Sequence, residues 1–280
     1  MSIVLVAVIA MGALALLLGC AIGIFVKFFK VNTDPRIELV LELLPGANCG
    51  GCGRAGCADF AKAVVSGELP PSRCPVSSTE QVNAIAFALG VEAASTFAVR
   101  AVVCCSGDHT RSKVQLNYNG ALDCTAANMV SGGPKACRFG CLGMGTCARA
   151  CPFGAIEIIN GLAMVHPEIC VGCGQCVAAC PRHIIKLVPA DAKYHVFCNS
   201  PDKGASKRAI CQGACIGCRK CEKNVPEKFQ VDGFLAKVKY DAELVTDEEI
   251  ELIKCPTGAL NSIQEHYLAG KLSGGKGGNK

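Results

Sequence analysis

Tryptophan is absent from this 280-residue chain, and aromatic residues of all kinds make up only 5% of it. Small domains so short of large hydrophobes cannot fill their interiors by aromatic packing, so they need another staple, such as bound metal. Charge of one sign is also scarce. The net formal charge is +5, and three of the positives, Lys271, Lys276 and Lys280, fall in a Gly-rich tail. No dense basic stripe with interleaved aromatics is present, which argues against a nucleic-acid partner. No Gly-x-Gly-x-x-Gly unit links a strand to a helix, so no dinucleotide site is expected.

The run from Ile3 to Val26 lacks charge altogether. It is long enough to cross a hydrocarbon core of ~30 Å, and without Asp, Glu, Lys, Arg or His it offers no ion or proton path of its own. Lys27 and Lys30 follow at once and nothing basic precedes. The positive-inside rule then predicts a single-pass anchor in the cytoplasmic membrane with the bulk of the chain on the cytoplasmic side. A cleaved signal peptide is the rival reading, but it needs a basic start and a shorter apolar stretch. In a reducing cytoplasm structural disulfides are disfavoured.

What the chain has in abundance is cysteine: 22 residues. Outside disulfides these are metal ligands, redox thiols or small buried hydrophobes, and spacing decides. Cys170-Val-Gly-Cys173-Gly-Gln-Cys176-Val-Ala-Ala-Cys180-Pro181 fits the bacterial four-iron, four-sulfur arrangement, whose last Cys ligates the other cluster of a pair. Structural zinc also uses Cys-x2-Cys pairs, but it does not account for three evenly spaced Cys plus a distant Cys-Pro. Upstream stands the companion half, Cys137-Arg-Phe-Gly-Cys141-Leu-Gly-Met-Gly-Thr-Cys147-Ala-Arg-Ala-Cys151-Pro152, with Met144 where a middle Cys belongs. Crossed ligation assigns Cys151, Cys170, Cys173 and Cys176 to one cluster and Cys137, Cys141, Cys147 and Cys180 to another. Cys49, Cys52, Cys57 and Cys74 form a separate glycine-rich group, for which zinc is the alternative. Cys215, Cys218 and Cys221 with Cys255-Pro256 repeat the ferredoxin logic. Val225-Pro226 occupies the crossed position there, so one cluster is expected and the usual second is lost. Cys104, Cys124, Cys198 and Cys211 are candidates for one further cluster, against the alternative of buried free thiols. In all, at least three four-iron clusters are expected, a fourth fits, and a fifth has enough cysteines. The histidines His109, His166, His183, His195 and His266 show no mutual metal spacing.

Local signals place these groups. Ile37 to Leu44 reads as a short amphipathic helix stopped by Pro45-Gly46. Ser78 with Gln81, and Thr246 with Glu249, read as capping boxes. Ala98 to Val103 and Phe234 to Tyr240 read as strands. Asn160-Gly161 joins Ala155–Ile159 to Leu162–Val165 as a hairpin. The predicted fold class is α+β. The predicted parts are a transmembrane helix at 1–26, a linker at 27–35 and a four-cysteine iron–sulfur domain at 36–92. A connecting segment at 93–135, a two-cluster ferredoxin-like domain at 136–190, a second ferredoxin-like segment at 191–262 and a disordered tail at 263–280 follow.

The N-terminal span, the Cys49–Cys74 group and the paired ferredoxin motifs resemble the RnfB family, the polyferredoxin component of the Rnf ion-translocating electron-transport complex. The stretch Cys137-Arg-Phe-Gly-Cys-Leu-Gly-Met-Gly-Thr-Cys and the following Cys-Pro-Phe-Gly-Ala-Ile carry most of the likeness, which covers residues 1 to about 190. The resemblance implies a non-catalytic electron-transfer subunit of a translocase. Its partners would be soluble ferredoxin and the other membrane and peripheral subunits, which hold the flavins, the NAD site and the ion path. The remaining alternatives are an electron-relay subunit of a different membrane reductase, an iron–sulfur redox sensor, or a zinc-stabilised interaction protein. A basic run, Lys203, Lys207, Arg208, Arg219, Lys220 and Lys223, is a candidate surface for steering an acidic ferredoxin.

Overall fold

The computed structural model describes residues 2–28, 34–92, 98–241 and 243–274. Helix α1 (Ser2–Phe28) is apolar on all sides. Its segment Leu5–Phe25 has a mean hydropathy of 2.7, and none of it is buried against the rest of the chain. Such a helix is long and apolar enough to cross a bilayer.

The first cysteine-bearing unit is all helical. Asp34 caps α2 (Pro35–Leu43) by accepting the Arg36 N–H at 2.9 Å, with Pro35 preset at the first turn. Helix α3 (Cys57–Val65) follows the Gly-rich loop, and α4 (Thr79–Leu89) opens on the Ser78/Gln81 capping box and ends at Gly90 with φ +68°. Their apolar faces meet in a core of Val40, Leu44, Phe60, Ala61, Val64 and Ile85.

The second unit begins earlier than the spacing of its motifs predicts. Strand β1 (Val99–Val103) and helix α5 (Cys124–Met129) lie in the stretch expected to be a connecting segment. They are followed by α6 (Thr146–Arg149), β2 (Ile156–Ile159), β3 (Leu162–Val165), α7 (Gln175–Ala179) and β4 (Ile185–Pro189). Asn160 and Gly161 take φ +48° and +70° and turn β2 into β3, the two-residue geometry that matches strand twist. β1 pairs antiparallel with β4, from Val99 opposite Pro189 to Val103 opposite Ile185. The unit's first strand therefore closes on its last.

The third unit repeats the plan. It comprises β5 (Tyr194–Val196), α8 (Gly204–Ile210), α9 (Lys220–Asn224), β6 (Phe229–Asp232), β7 (Leu235–Val238), α10 (Asp247–Ile253) and β8 (Leu260–Ser262). β5 pairs with β8, and β6 with β7. Thr246 and Glu249 form the expected capping box on α10. The expected disordered tail is instead helical as far as Gly274: α11 (Ile263–Gly274) is pinned by side chains. His266 stacks on Phe197 with centroids 3.7 Å apart, and the Tyr267 hydroxyl donates to Glu157 at 3.3 Å. Residues 275–280 lie outside the described residues.

All four sheets among the described residues have two strands. Ribbons of that size are marginal in water by themselves, so the cysteine sites at their ends carry structural weight.

Candidate iron–sulfur centres

Each Cys-rich loop is shaped by residues that accept a left-handed backbone. In the second unit Gly172 and Gly174 have φ +70° and +80°, and in its companion loop Gly143 and Gly145 have +75° and +78°. In the third unit Gly217 and Arg219 have +66° and +59°, so an arginine takes the conformation that glycine takes in the other two. In all three loops the second of these residues caps a short helix, α6, α7 or α9, that carries the next cysteine, Cys147, Cys176 or Cys221.

Cys151, Cys170, Cys173 and Cys176 line one cavity with Ala101, Phe153, Ala155 and Ile156. Backbone N–H groups aim at its sulfurs: Ala101 donates to Cys170 Sγ at 3.3 Å and Ala155 to Cys151 Sγ at 3.4 Å. Cys215, Cys218, Cys221 and Cys255 line another, and Ala236 N–H points at Cys215 Sγ at 3.5 Å. In the first unit Cys52, Cys57 and Cys74 pack on one core. Cys49 lies at the head of the loop whose Asn48 side chain accepts the Cys57 N–H at 2.8 Å.

The remaining two groups differ from the spacing-based expectation. Cys141, Cys147 and Cys180 share their cavity with Cys124, not with Cys137. Cys124 is held there because its N–H donates to Thr146 Oγ1 at 2.7 Å while Thr146 donates to Asp123 at 2.9 Å, which ties α5 to α6. A helix upstream thus brings Cys124 into the cavity beside Met144, which packs against it. Cys137 faces a second cavity with Cys105, Cys198 and Cys211. A Cβ on Gly140 would lie 3.4 Å from Cys137 Sγ and 3.6 Å from Cys105 Sγ. One on Gly107 would lie 3.5 Å from Cys211 Sγ and 3.6 Å from Cys105 Sγ.

Cys104 lines neither of these two cavities. The reason is a register slip of one residue. Cys104 N–H donates to Ile184 O at 2.8 Å, and Phe197 N–H donates to Ala259 O at 2.6 Å. Ile184 and Ala259 each stand four residues after a Cys-Pro cysteine. Cys104 is therefore the counterpart of Phe197, and Cys105 that of Cys198. A one-residue shift in a strand reverses which side a residue faces. Setting Cys20 and Cys104 aside, sixteen of the other twenty cysteines line four cavities in fours, and Cys49, Cys52, Cys57 and Cys74 make a fifth quartet by sequence.

These quartets suit a cationic cluster. Burial pushes the Cys147, Cys176 and Cys211 thiols up to about 12 and Cys141 and Cys221 up to about 11, with neighbouring sulfurs adding to the effect for each. Such thiols stay protonated unless a bound cation takes the proton's place. In four of the quartets the sulfurs line a cavity. Among the described residues no three His, Cys, Asp or Glu side chains are close enough to hold a single metal ion. N–H groups directed at sulfur are the contacts through which a protein tunes a cluster.

The quartets also touch in sequence. The Cys141 N–H donates to Cys105 Sγ at 3.3 Å. Cys147 lies within electrostatic reach of Cys176, Cys173 of Cys49, and Cys198 of Cys215. The Gln175 side chain donates to the Cys49 carbonyl, and a Cβ on Gly51 would come within 2.6 Å of Cys173 O. Of the expected basic run, Lys203, Arg208, Arg219, Lys220 and Lys223 are exposed, whereas Lys207 is buried and bonded internally.

Comparison with known proteins places iron–sulfur family models on two of these stretches. The FeS family model, for an Fe-S cluster, matches residues 44–76, and the Fer4 model, a 4Fe-4S binding domain, matches residues 163–186. The chain is 41% identical to the B component of the ion-translocating oxidoreductase complex of Methanosarcina acetivorans, over 87% of this chain and 94% of that one. It is 40% identical to the B component of the proton-translocating ferredoxin:NAD(+) oxidoreductase complex of Clostridium ljungdahlii, over 94% of each chain. It is also 40% identical to the Na(+)-translocating counterpart from Acetobacterium woodii, over 95% of this chain and 80% of that one. The apolar N-terminal helix is consistent with a membrane anchor in such a protein. With several 4Fe-4S clusters on its thiolates, the chain belongs to the RnfB family of ion-translocating oxidoreductase complexes and is an electron-transfer subunit.

Proposed function

We propose that this chain is a five-cluster relay carrying electrons between a reduced ferredoxin and the other subunits of a ferredoxin:NAD oxidoreductase that moves ions. The contact order of the quartets supports this reading above all. It runs from Cys215/Cys218/Cys221/Cys255 to Cys105/Cys137/Cys198/Cys211, then to Cys124/Cys141/Cys147/Cys180, Cys151/Cys170/Cys173/Cys176 and Cys49/Cys52/Cys57/Cys74. Four-iron clusters held there supply one-electron transfer. The protein fixes the spacing through short shared loops, keeps water from the interior sulfurs, and directs amides at them.

The two ends differ. Cys218 is exposed, beside exposed Arg219, Lys220 and Lys223, which suits docking of an acidic soluble protein. The other end follows the apolar helix closely. Seven residue steps separate Phe28 from Pro35, so the linker reaches at most about 25 Å. With Lys27 at the helix end, the positive-inside rule places this unit at the cytoplasmic surface. Electrons thus arrive at the third unit and leave from the first toward membrane-embedded partners.

The anchored chain, purified anaerobically, should contain about 20 irons and as much acid-labile sulfide, in keeping with four-iron clusters. Fewer than about 18 irons in a sulfide-complete preparation would reject the fifth quartet. Reversing charge at Lys203, Arg208 and Lys223 should remove most of the salt dependence of reduction by ferredoxin. An unchanged salt dependence would place ferredoxin elsewhere.

A further inference from the structure

The Cys105/Cys137/Cys198/Cys211 cavity is lined by two buried lysines, an unusual feature in a chain interior. Lys135 and Lys207 are each 1% exposed, and both border this cavity. Lys135 Nζ donates to Gly107 O and Gly161 O, each at 2.6 Å. Lys207 Nζ donates to Ser200 O at 3.0 Å and Phe234 O at 2.7 Å. These are donors facing carbonyls, as an ammonium requires. The four acceptors are all neutral backbone carbonyls, where a buried lysine ordinarily pairs with a carboxylate.

No carboxylate lines this cavity. Asp108 is buried next to Gly107, but its carboxylate accepts the N–H groups of Thr110 and Arg111 at 2.8 and 2.9 Å and lies 3.9 Å from the Arg111 guanidinium. By contrast, the Cys151/Cys170/Cys173/Cys176 cavity has no charged residue in its lining. At the Cys215 quartet the cations Arg219 and Lys220 are exposed, where water and salt screen them.

We propose that Lys135 and Lys207 are potential-setting residues for the interior Cys105/Cys137/Cys198/Cys211 centre. Each reduction of a tetrathiolate cluster adds a negative charge, and burial by itself disfavours the added charge and lowers the potential. An interior centre without compensation would be a barrier between its two neighbours. Two ammonium groups fixed by the backbone offset that burial and keep the centre usable as a relay. Their effect is insensitive to salt because both are shielded from solvent.

The inference rests on the five-quartet reading, and the test separates the two. In the full-length holoprotein, Cys211→Ala identifies the low-temperature EPR signal of this centre as the one that disappears; if no signal and no iron is lost, the quartet reading fails whatever the lysines do. Lys135→Met and Lys207→Met then remove charge while keeping chain length. The expected result is that this signal's midpoint moves to more negative potential in each variant, and further in the double variant, while the other midpoints stay nearer their original values. Lys→Arg at either position should hold the midpoint close to the wild-type value. A midpoint that is unmoved in both Met variants overturns the proposal. If a Met variant loses this centre's iron, recovery of the iron in the Arg variant supports the charge requirement, and its loss in the Arg variant as well overturns it.

Discussion

Replacing Cys124 and Cys141 together with alanine asks whether these two thiols serve one centre or two. They line the same cavity, with α5 tied to α6 through Thr146 and Asp123. Sequence spacing pairs Cys141 with Cys137 and leaves Cys124 for another group. With four irons per cluster, the parent chain holds about 20, each single variant about 16, and the double variant again about 16, since the second change strikes a centre already lost. If the two thiols served different centres, the double variant would fall to about 12. Cys137→Ala with Cys198→Ala is the companion pair and should also stop at about 16. Cys104→Ala is the control: it should keep all its iron and lose about 1 kcal/mol of stability, the cost of deleting one methyl-sized buried group. The assay is iron and acid-labile sulfide per chain after anaerobic size-exclusion chromatography, with EPR to count the remaining signals. A Cys124→Ala/Cys141→Ala protein with about 12 irons and three signals refutes the grouping.

Other outcomes follow from the fold. Gly143→Ala forces a left-handed alanine whose Cβ overlaps the Gly161 carbonyl, so it should cost more than the ~1–2 kcal/mol of the backbone conformation alone. Gly53→Ala, at φ +87° with nothing within 4 Å, should cost only that conformational part, and thermal bleaching of the iron–sulfur chromophore should rank the two in this order. Phe229 is 0% exposed at the centre of the third unit. Phe229→Ala should cost about 3–5 kcal/mol and release the Cys215-quartet iron first on mild heating. His195 is kept neutral, because burial lowers its pKa to about 4 while Nε2 faces the Ala192 carbonyl and Nδ1 the Tyr240 hydroxyl. Its folded pKa lies below its unfolded one, so its contribution is complete above about pH 6.5 and is lost as pH falls toward about 4, by roughly 3 kcal/mol at most. His195→Phe should flatten the decline in urea midpoint between about pH 7 and pH 5; an unchanged slope would show that His195 is not its source.

What can be read from the sequence is what is encoded locally. The Cys170–Cys180 run, the Asn160-Gly161 turn and the two capping boxes each fix their structure within a few residues, and each stands where the spacing puts it. The choice between Cys104 and Cys105 turns on a single step of strand register, which depends on β4 more than eighty residues away. Spacing groups Cys124 apart from Cys141, Cys147 and Cys180 because nothing near Met144 announces that a distant helix brings Cys124 into their cavity. Lys207 reads as one member of a basic run, yet α8 turns it inward onto Ser200 and Phe234. The helix over 263–274 is hidden because its composition is that of a tail, while its anchors, Phe197, Glu157 and Met164, belong to other elements.

The closure of β1 on β4, and of β5 on β8, means that each ferredoxin-like stretch begins and ends at adjacent backbone positions. A segment with neighbouring ends is a cassette: it can be copied, or deleted, at the level of the gene without pulling the flanking chain out of place. The second stretch starts only a few residues after the first ends, joined through Val102, Val188, Phe197 and Tyr240. A chain built this way lengthens by whole units that arrive with their own thiols, and here the third unit brings Cys198 and Cys211 to the cavity that Cys105 and Cys137 line across the seam.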